Sequence, residues 1–152
     1  IAIDELATRG LRPKRILDLG CGTGILAIAA ARVWPDAHVL AADNDPIAVE
    51  SCTRNATLNG LEPTVLLGDV TDHGTVLPAA DVLVANLLRG PVLDLARRLG
   101  DAGAGDWAPS RQLVSGLLAE EGDEVVAALS GYGLVRRATA AGWLVLDLAR
   151  RV

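Results

Sequence analysis

The stretch "ILDLGCGTG" (residues 16–24) sets three alternating glycines, Gly20, Gly22 and Gly24, directly after an apolar run holding one acid, Asp18. The run 15–19 reads as a buried strand. Glycine takes positive φ readily and lets another molecule approach the backbone closely. A strand-to-helix turn needs one such residue; three in alternation point to a bound ligand. The next segment, 24–34, is apolar at helical spacing and stops at Pro35. Its first N–H groups therefore face the same space as the glycines.

Working outward, strands and helices alternate. A short amphipathic helix is expected over 1–8, ended by Gly10 and Pro13. Strands are expected at 38–42, 64–67, 81–85 and 112–115. Asp45 and Pro46 open a helix that runs to Asn59-Gly60, a helix stop signal. Further helices are expected over 91–99 and 119–130. The last two runs, 134–138 and 143–149, leave no room for a crossover helix and should pair as an antiparallel hairpin. Alternation of this kind makes an α/β fold, a mostly parallel sheet covered by helices on both faces. Residues 100–110, "GDAGAGDWAPS", read as an exposed connection with Trp107 folding back on the sheet.

Bulk properties narrow the partners. The chain has 152 residues, the length of one ordinary domain. Half of it is hydrophobic, yet aromatics are 3% and Phe is absent, so the core must be aliphatic. A net charge of −5 argues against a nucleic-acid partner, which requires a basic face. No apolar run approaches the length of about 20 residues that spans a bilayer. Cys21 and Cys52 make no C-x-x-C pair and no disulfide framework, so a reducing cytoplasmic setting is expected. Neither His38 nor His73 has metal-ligand spacing, and no metal is expected.

The acids at the strand ends indicate the ligand. A dinucleotide fingerprint is G-x-G-x-x-G, but Ile25 occupies the third glycine's place, which argues against a nicotinamide-dependent oxidoreductase. Asp18 would repel a pyrophosphate and suits a ligand with positive charge, such as the ammonium and sulfonium of S-adenosyl-L-methionine. Asp43 closes the second strand 19 positions after Gly24, where a carboxylate accepts from ribose hydroxyls. Asp69 follows the third strand and would accept from an adenine amino group while the Val70 N–H donates to the ring.

These residues carry a resemblance. "DLGCGTG", "AADNDP", "GDV" and "DVLVANLL" resemble the ordered motifs of seven-stranded S-adenosylmethionine-dependent methyltransferases, which implies a three-layer Rossmann-like sheet whose last strand is antiparallel. "DNDPIAVESCTRNATLNG", "VANLLRGPVLDLA" and "LVSGLLAEEGDEV" are similar to the ribosomal protein L11 methyltransferases, the PrmA type. That resemblance implies methylation of amino groups, at lysine side chains or an N-terminus, of a ribosomal protein. It also implies that residues 1–152 are one methyltransferase domain, a fragment without the family's N-terminal substrate-recognition domain.

The candidate cofactor-binding residues are Asp18, Gly20, Cys21, Gly22, Thr23, Gly24, Asp43, Asn44, Asp69, Val70 and Asn86. Asn86 is also the candidate catalytic residue: its carbonyl would orient the amine, and alignment would supply most of the rate. Leu87, Leu88 and Arg89 follow it, with no aromatic to stack on a flipped base, which favours an aliphatic amine. Trp143 is expected at a strand start in the core, although the resemblance sets it near the active face. The alternatives are a non-catalytic nucleoside-binding module, or a methyltransferase for another protein or small-molecule amine.

Overall fold

The computed structural model describes residues 2–69, 72, 75, 77–101 and 107–151. Val70, His73, the first residue of the expected opening helix and residues 102–106 of the expected connection lie outside them. In chain order the elements are α1 (Ala2–Thr8), β1 (Arg15–Leu19), α2 (Ile25–Val33), β2 (His38–Asp43), α3 (Pro46–Leu58), β3 (Thr64–Leu67), β4 (Val82–Asn86), α4 (Arg89–Asp101) and β5 (Arg111–Leu118). A 3₁₀ turn (Ala119–Glu121), α5 (Gly122–Ala128), β6 (Tyr132–Ala140) and β7 (Trp143–Arg150) complete the set. The seven strands form one sheet in the order β3-β2-β1-β4-β5-β7-β6. Pairing is parallel from β3 to β5, and β7 runs antiparallel to both β5 and β6. The expected fold class, a mostly parallel sheet with an antiparallel final strand, is the one found.

Alternation along each strand divides the core into two. Leu17, Leu19, Leu83, Ala85, Val114, Leu117, Leu144, Leu146 and Leu148 face α4 and α5. Ile16, Val39, Ala41, Val82, Val84 and Leu113 face the other way, toward Leu6 of α1, Ala27 and Ala30 of α2, and Cys52 of α3. Parity sends Asp18, Asp43, Asn86, Ser115 and Trp143 to this second face. Five strands therefore deliver polar or aromatic side chains to one side of the sheet.

Several element boundaries differ from expectation, each for a local reason. Helix α4 begins at Arg89, so Pro91 lies inside its first turn, where a missing N–H breaks no helical bond. Strand β5 runs on to Leu118 because Gly116 sits in a bulge rather than ending the strand. The expected helix 119–130 divides into the 3₁₀ turn and α5. Trp107 does pack on the core, with the Arg98 guanidinium 5.2 Å from its ring centre.

Side chains fasten the layers at the lower and outer edges. Asp81, at the start of β4, accepts from Lys14 N at 2.8 Å and Arg15 N at 2.9 Å. Asp147 of β7 receives Arg111 Nε at 2.5 Å and Nη2 at 2.7 Å. On the edge strand β6, Arg136 pairs with Glu5 of α1 and Arg137 with Asp123 of α5.

The strand order makes β7 central and β6 an edge. Leu146 of β7 is 0% exposed and Leu134 of β6 is 44% exposed. Leu146→Ala is expected to cost about 2–5 kcal/mol in urea unfolding, and Leu134→Ala less than about 1 kcal/mol. Equal losses would contradict this order.

Candidate active site

The glycine loop is built from below by Asp18. Its side chain is 0% exposed and faces α2, where Oδ2 accepts from Ala27 N at 2.9 Å. Gly24, the residue before α2, has φ 82° and no side chain to cap the helix. Asp18 thus satisfies a first-turn N–H that an N-cap side chain would ordinarily satisfy. Burial pushes its carboxyl up from the ordinary 3.8 to about 7; the Ala27 N–H opposes the rise, and nearby Asp43 adds to it. The structure sets this carboxylate beneath the loop, closed from solvent, with Oδ2 on the first turn of α2.

All three glycines have positive φ, at 68°, 53° and 82° for Gly20, Gly22 and Gly24. A Cβ on Gly24 would stand 2.6 Å from Cys52 Sγ and 3.2 Å from Cys52 Cα, so α2 can start there only over a bare backbone. Cys21 and Cys52 are free and buried, their thiols hydrogen-bonded to each other, and burial pushes both thiols up. What Cys21 offers the site is main chain: its N–H donates to Ala42 O at 3.1 Å and its carbonyl accepts from Gly24 N at 2.8 Å. Thr23 is exposed at the loop's crown, its carbonyl held by Asn55 Nδ2 at 2.9 Å.

Asp43 ends β2 facing the loop. Its Oδ2 accepts from Gly22 N at 2.9 Å and its Oδ1 from Asp45 N at 3.0 Å. One carboxylate therefore ties the first loop to the second. Asn44 is exposed beside it, and Asp69 is exposed after β3; burial lowers the proton affinity of the Arg98 guanidinium, and Asp72 and Asp69 oppose that fall.

Asn86 is exposed at the carboxyl end of β4. Leu87 follows and packs its side chain against the Cα of Gly20, while its N–H donates to Ser115 O at 3.0 Å. Asn86, Ser115, Gly116, Trp143, Leu144 and Val145 line a hollow of about 320 Å³. Trp143 is 53% exposed in it, not in the core as its position at a strand start suggests. The signal was its parity: Trp143 shares a face with Val145 and Asp147, opposite the buried Leu144, Leu146 and Leu148. Among the described residues no group of three or more His, Cys, Asp or Glu could hold a metal, and no helix is long and apolar enough to cross a membrane.

A glycine loop over a buried acid, a second acid ending β2 and an exposed Asn ending β4 thus share one edge of a β3-β2-β1-β4-β5-β7-β6 sheet. The profile of the ribosomal protein L11 methyltransferase (PrmA) family matches residues 1–151. The chain belongs to that family. The ribosomal protein L11 methyltransferase of Pseudomonas aeruginosa is 38% identical over 99% of this chain and 50% of its own length. That of Azotobacter vinelandii is 36% identical over the same shares. This PrmA-family chain spans about half the length of the curated relatives it matches. Among solved structures, ribosomal protein L11 methylase from Lactobacillus delbrueckii subsp. bulgaricus shares its fold, with a TM-score of 0.82 at 24% identity over 99% of this chain and 78% of that one.

Two measurements test how the PrmA-type loop is held. Gly24→Ala combines a left-handed backbone penalty with overpacking on Cys52, and should cost about 3 kcal/mol in urea unfolding. Gly22→Ala, with nothing within 4 Å of its Cβ, should cost about 1 kcal/mol. The reverse ranking would show that Cys52 does not set the helix start. For Asp18, the folded chain holds a proton that the unfolded chain has lost between the ordinary 3.8 and about 7. Its contribution to stability is present below that window and lost as pH rises through it. Asp18→Asn should remove this slope, so that its melting temperature relative to the parent's climbs across the window; parallel profiles would refute the buried-acid reading.

Proposed function

We propose that this chain is the methyl-transferring domain of an S-adenosyl-L-methionine-dependent protein N-methyltransferase acting on amino groups of ribosomal protein L11. The observation that carries the reading is the seat of Asn86: an exposed amide, on the face that holds the glycine loop, joined to that loop through Leu87. Family membership and the names of its relatives support the same reaction and target. The target also implies a cytoplasmic setting and a ribosomal protein as partner.

The residues present suit this cofactor. Asp18 Oδ1 is buried without a hydrogen-bond partner among the described residues, and it lies directly beneath the loop. A ligand bearing positive charge relieves that carboxylate where a pyrophosphate would not. The loop of Gly20, Cys21, Gly22, Thr23 and Gly24 would hold the amino-acid end. Asp43 and Asn44 would hold the ribose hydroxyls, and Asp69 with Val70 the adenine. When bound, the cofactor supplies a methyl group on a sulfonium, an activated leaving group that needs no metal.

The protein's own work is then orientation. An amine attacks through a lone pair, and Asn86 Oδ1 can accept one of its hydrogens to aim that pair. The hollow around Asn86 is lined by Ser115, Gly116, Trp143, Leu144 and Val145, with no titratable side chain among them. Asn86 cannot take a proton, so the amine must arrive neutral. Trp143 offers an apolar wall for the methylene stem of a lysine.

Calorimetry with S-adenosylhomocysteine and transfer of labelled methyl groups to ribosomal protein L11 test the reading together. Asn86→Ala should lose about 100-fold in kcat, the scale of a misaligned attack, a larger factor than any loss of affinity for S-adenosylhomocysteine. With no base among the described residues that line the hollow, kcat/KM should rise about tenfold per pH unit, levelling near pH 8 for an N-terminal amine and above about 10 for a lysine side chain. Binding without transfer in the parent would leave a nucleoside-binding module instead.

A further inference from the structure

The end of β5 meets Asn86 in a way the transfer reaction does not by itself require. Gly116 has φ +83°, and the register of β5 on β7 shifts between Ser115 and Leu117. The extra residue returns Leu117 to the core face alongside Val114. A Cβ at position 116 would stand 2.5 Å from Asn86 Oδ1, 2.7 Å from Leu87 O and 2.9 Å from Leu87 N. No carbon tolerates all three distances, so the backbone of β5 lies on these two residues only because glycine is there.

Leu87 is caught from both sides. Its side chain rests on the bare Cα of Gly20 in the first loop, and its main chain rests on the bare Cα of Gly116. Its N–H is held by Ser115 O at 3.0 Å, and Ser115 Oγ reaches toward Ala85 O at 3.4 Å. The ends of β1, β4 and β5 are thus stacked backbone on side chain on backbone, with Asn86 at the exposed end of the stack.

We infer that Gly116 is a positioning residue for methyl transfer: its bare Cα fixes where Asn86 Oδ1 lies and, through Leu87, keeps that acceptor in register with the glycine loop. This rests on Asn86 accepting a hydrogen from the amine. Gly116→Ala keeps the residue count of the bulge, so Leu117 keeps its face, while the added methyl must push the Asn86 amide or the Leu87 carbonyl aside. The contact is with the acceptor and not with the acids of the cofactor loop. Its loss should therefore appear in kcat rather than in cofactor affinity.

The experiment compares the parent, Asn86→Ala and Gly116→Ala, with ribosomal protein L11 as methyl acceptor and S-adenosylhomocysteine as the calorimetric probe. Rates are expressed per S-adenosylhomocysteine-binding site, so that partial unfolding lowers the number of sites and not the rate per site. Gly116→Ala is expected to lose about 10- to 100-fold in kcat per site while affinity for S-adenosylhomocysteine and KM for L11 stay at parental values. Parental kcat per site, or a loss confined to affinity or KM, overturns the inference. Parental kcat in Asn86→Ala instead overturns the reading beneath it. A thermal double-mutant cycle reads the same contact without activity. Asn86→Gly and Gly116→Ala together should lower the melting temperature by less than the sum of the two single changes, and strict additivity also overturns the inference.

Discussion

A carboxylate withdrawn from water holds the functional edge of this sheet together. Asp18 lies within β1, faces α2 and accepts from Ala27 N, so the first helix is pinned to the central strand before the loop between them can choose a path. Desolvation disfavours its charge, and the positive end of α2 favours it. The rise of its proton affinity shows that desolvation prevails. With the helix start fixed there and Gly24 pressed on Cys52, the loop is left short, its Gly20 and Cys21 N–H groups on Ala42 O and its Gly22 N–H on Asp43.

Parity explains why so much chemistry collects on one side. Each strand presents alternate residues to alternate layers, and the layer of α4 and α5 takes the leucines. The other layer takes smaller residues, mainly Ala, Val and Ile, and leaves room near the strand ends for Asp18, Asp43, Asn86 and Trp143. An almost wholly aliphatic core suits this arrangement. Ala27, Ala30 and Ala41 let α2 lie close to the sheet, which brings its first turn down to the level of the loop.

The sequence was most legible where local signals and tertiary demands agree. The strand at 15–19 and that at 64–67 have the bounds expected, because each is an apolar run flanked by turn residues, the first buried and the second at the sheet's edge. The acids at strand ends were legible for the same reason, since strand direction alone assigns them to one edge. Asp18 was legible in its position along the chain but not in the layer it faces. An acid in an apolar strand gives no sign of which layer will receive it, and Ala27 becomes its partner only when α2 docks. Gly116 reads locally as a terminator; that it is a bulge depends on β7 pairing past it. Trp143 was read by its apolar character, while its place opposite Leu144 followed from the hairpin register. Val70 and His73 are outside the described residues, so the structure adds nothing to their reading.

The outermost strand shows a different economy. A sheet with an open border invites another chain to extend it. Here β6 is nine residues long, yet its line is interrupted by a register shift between Leu134 and Arg136. The two arginines that follow reach to opposite layers, Arg136 to Glu5 and Arg137 to Asp123. The border is thereby kinked and drawn back onto its own helices, which makes it a poor template for a neighbour's strand.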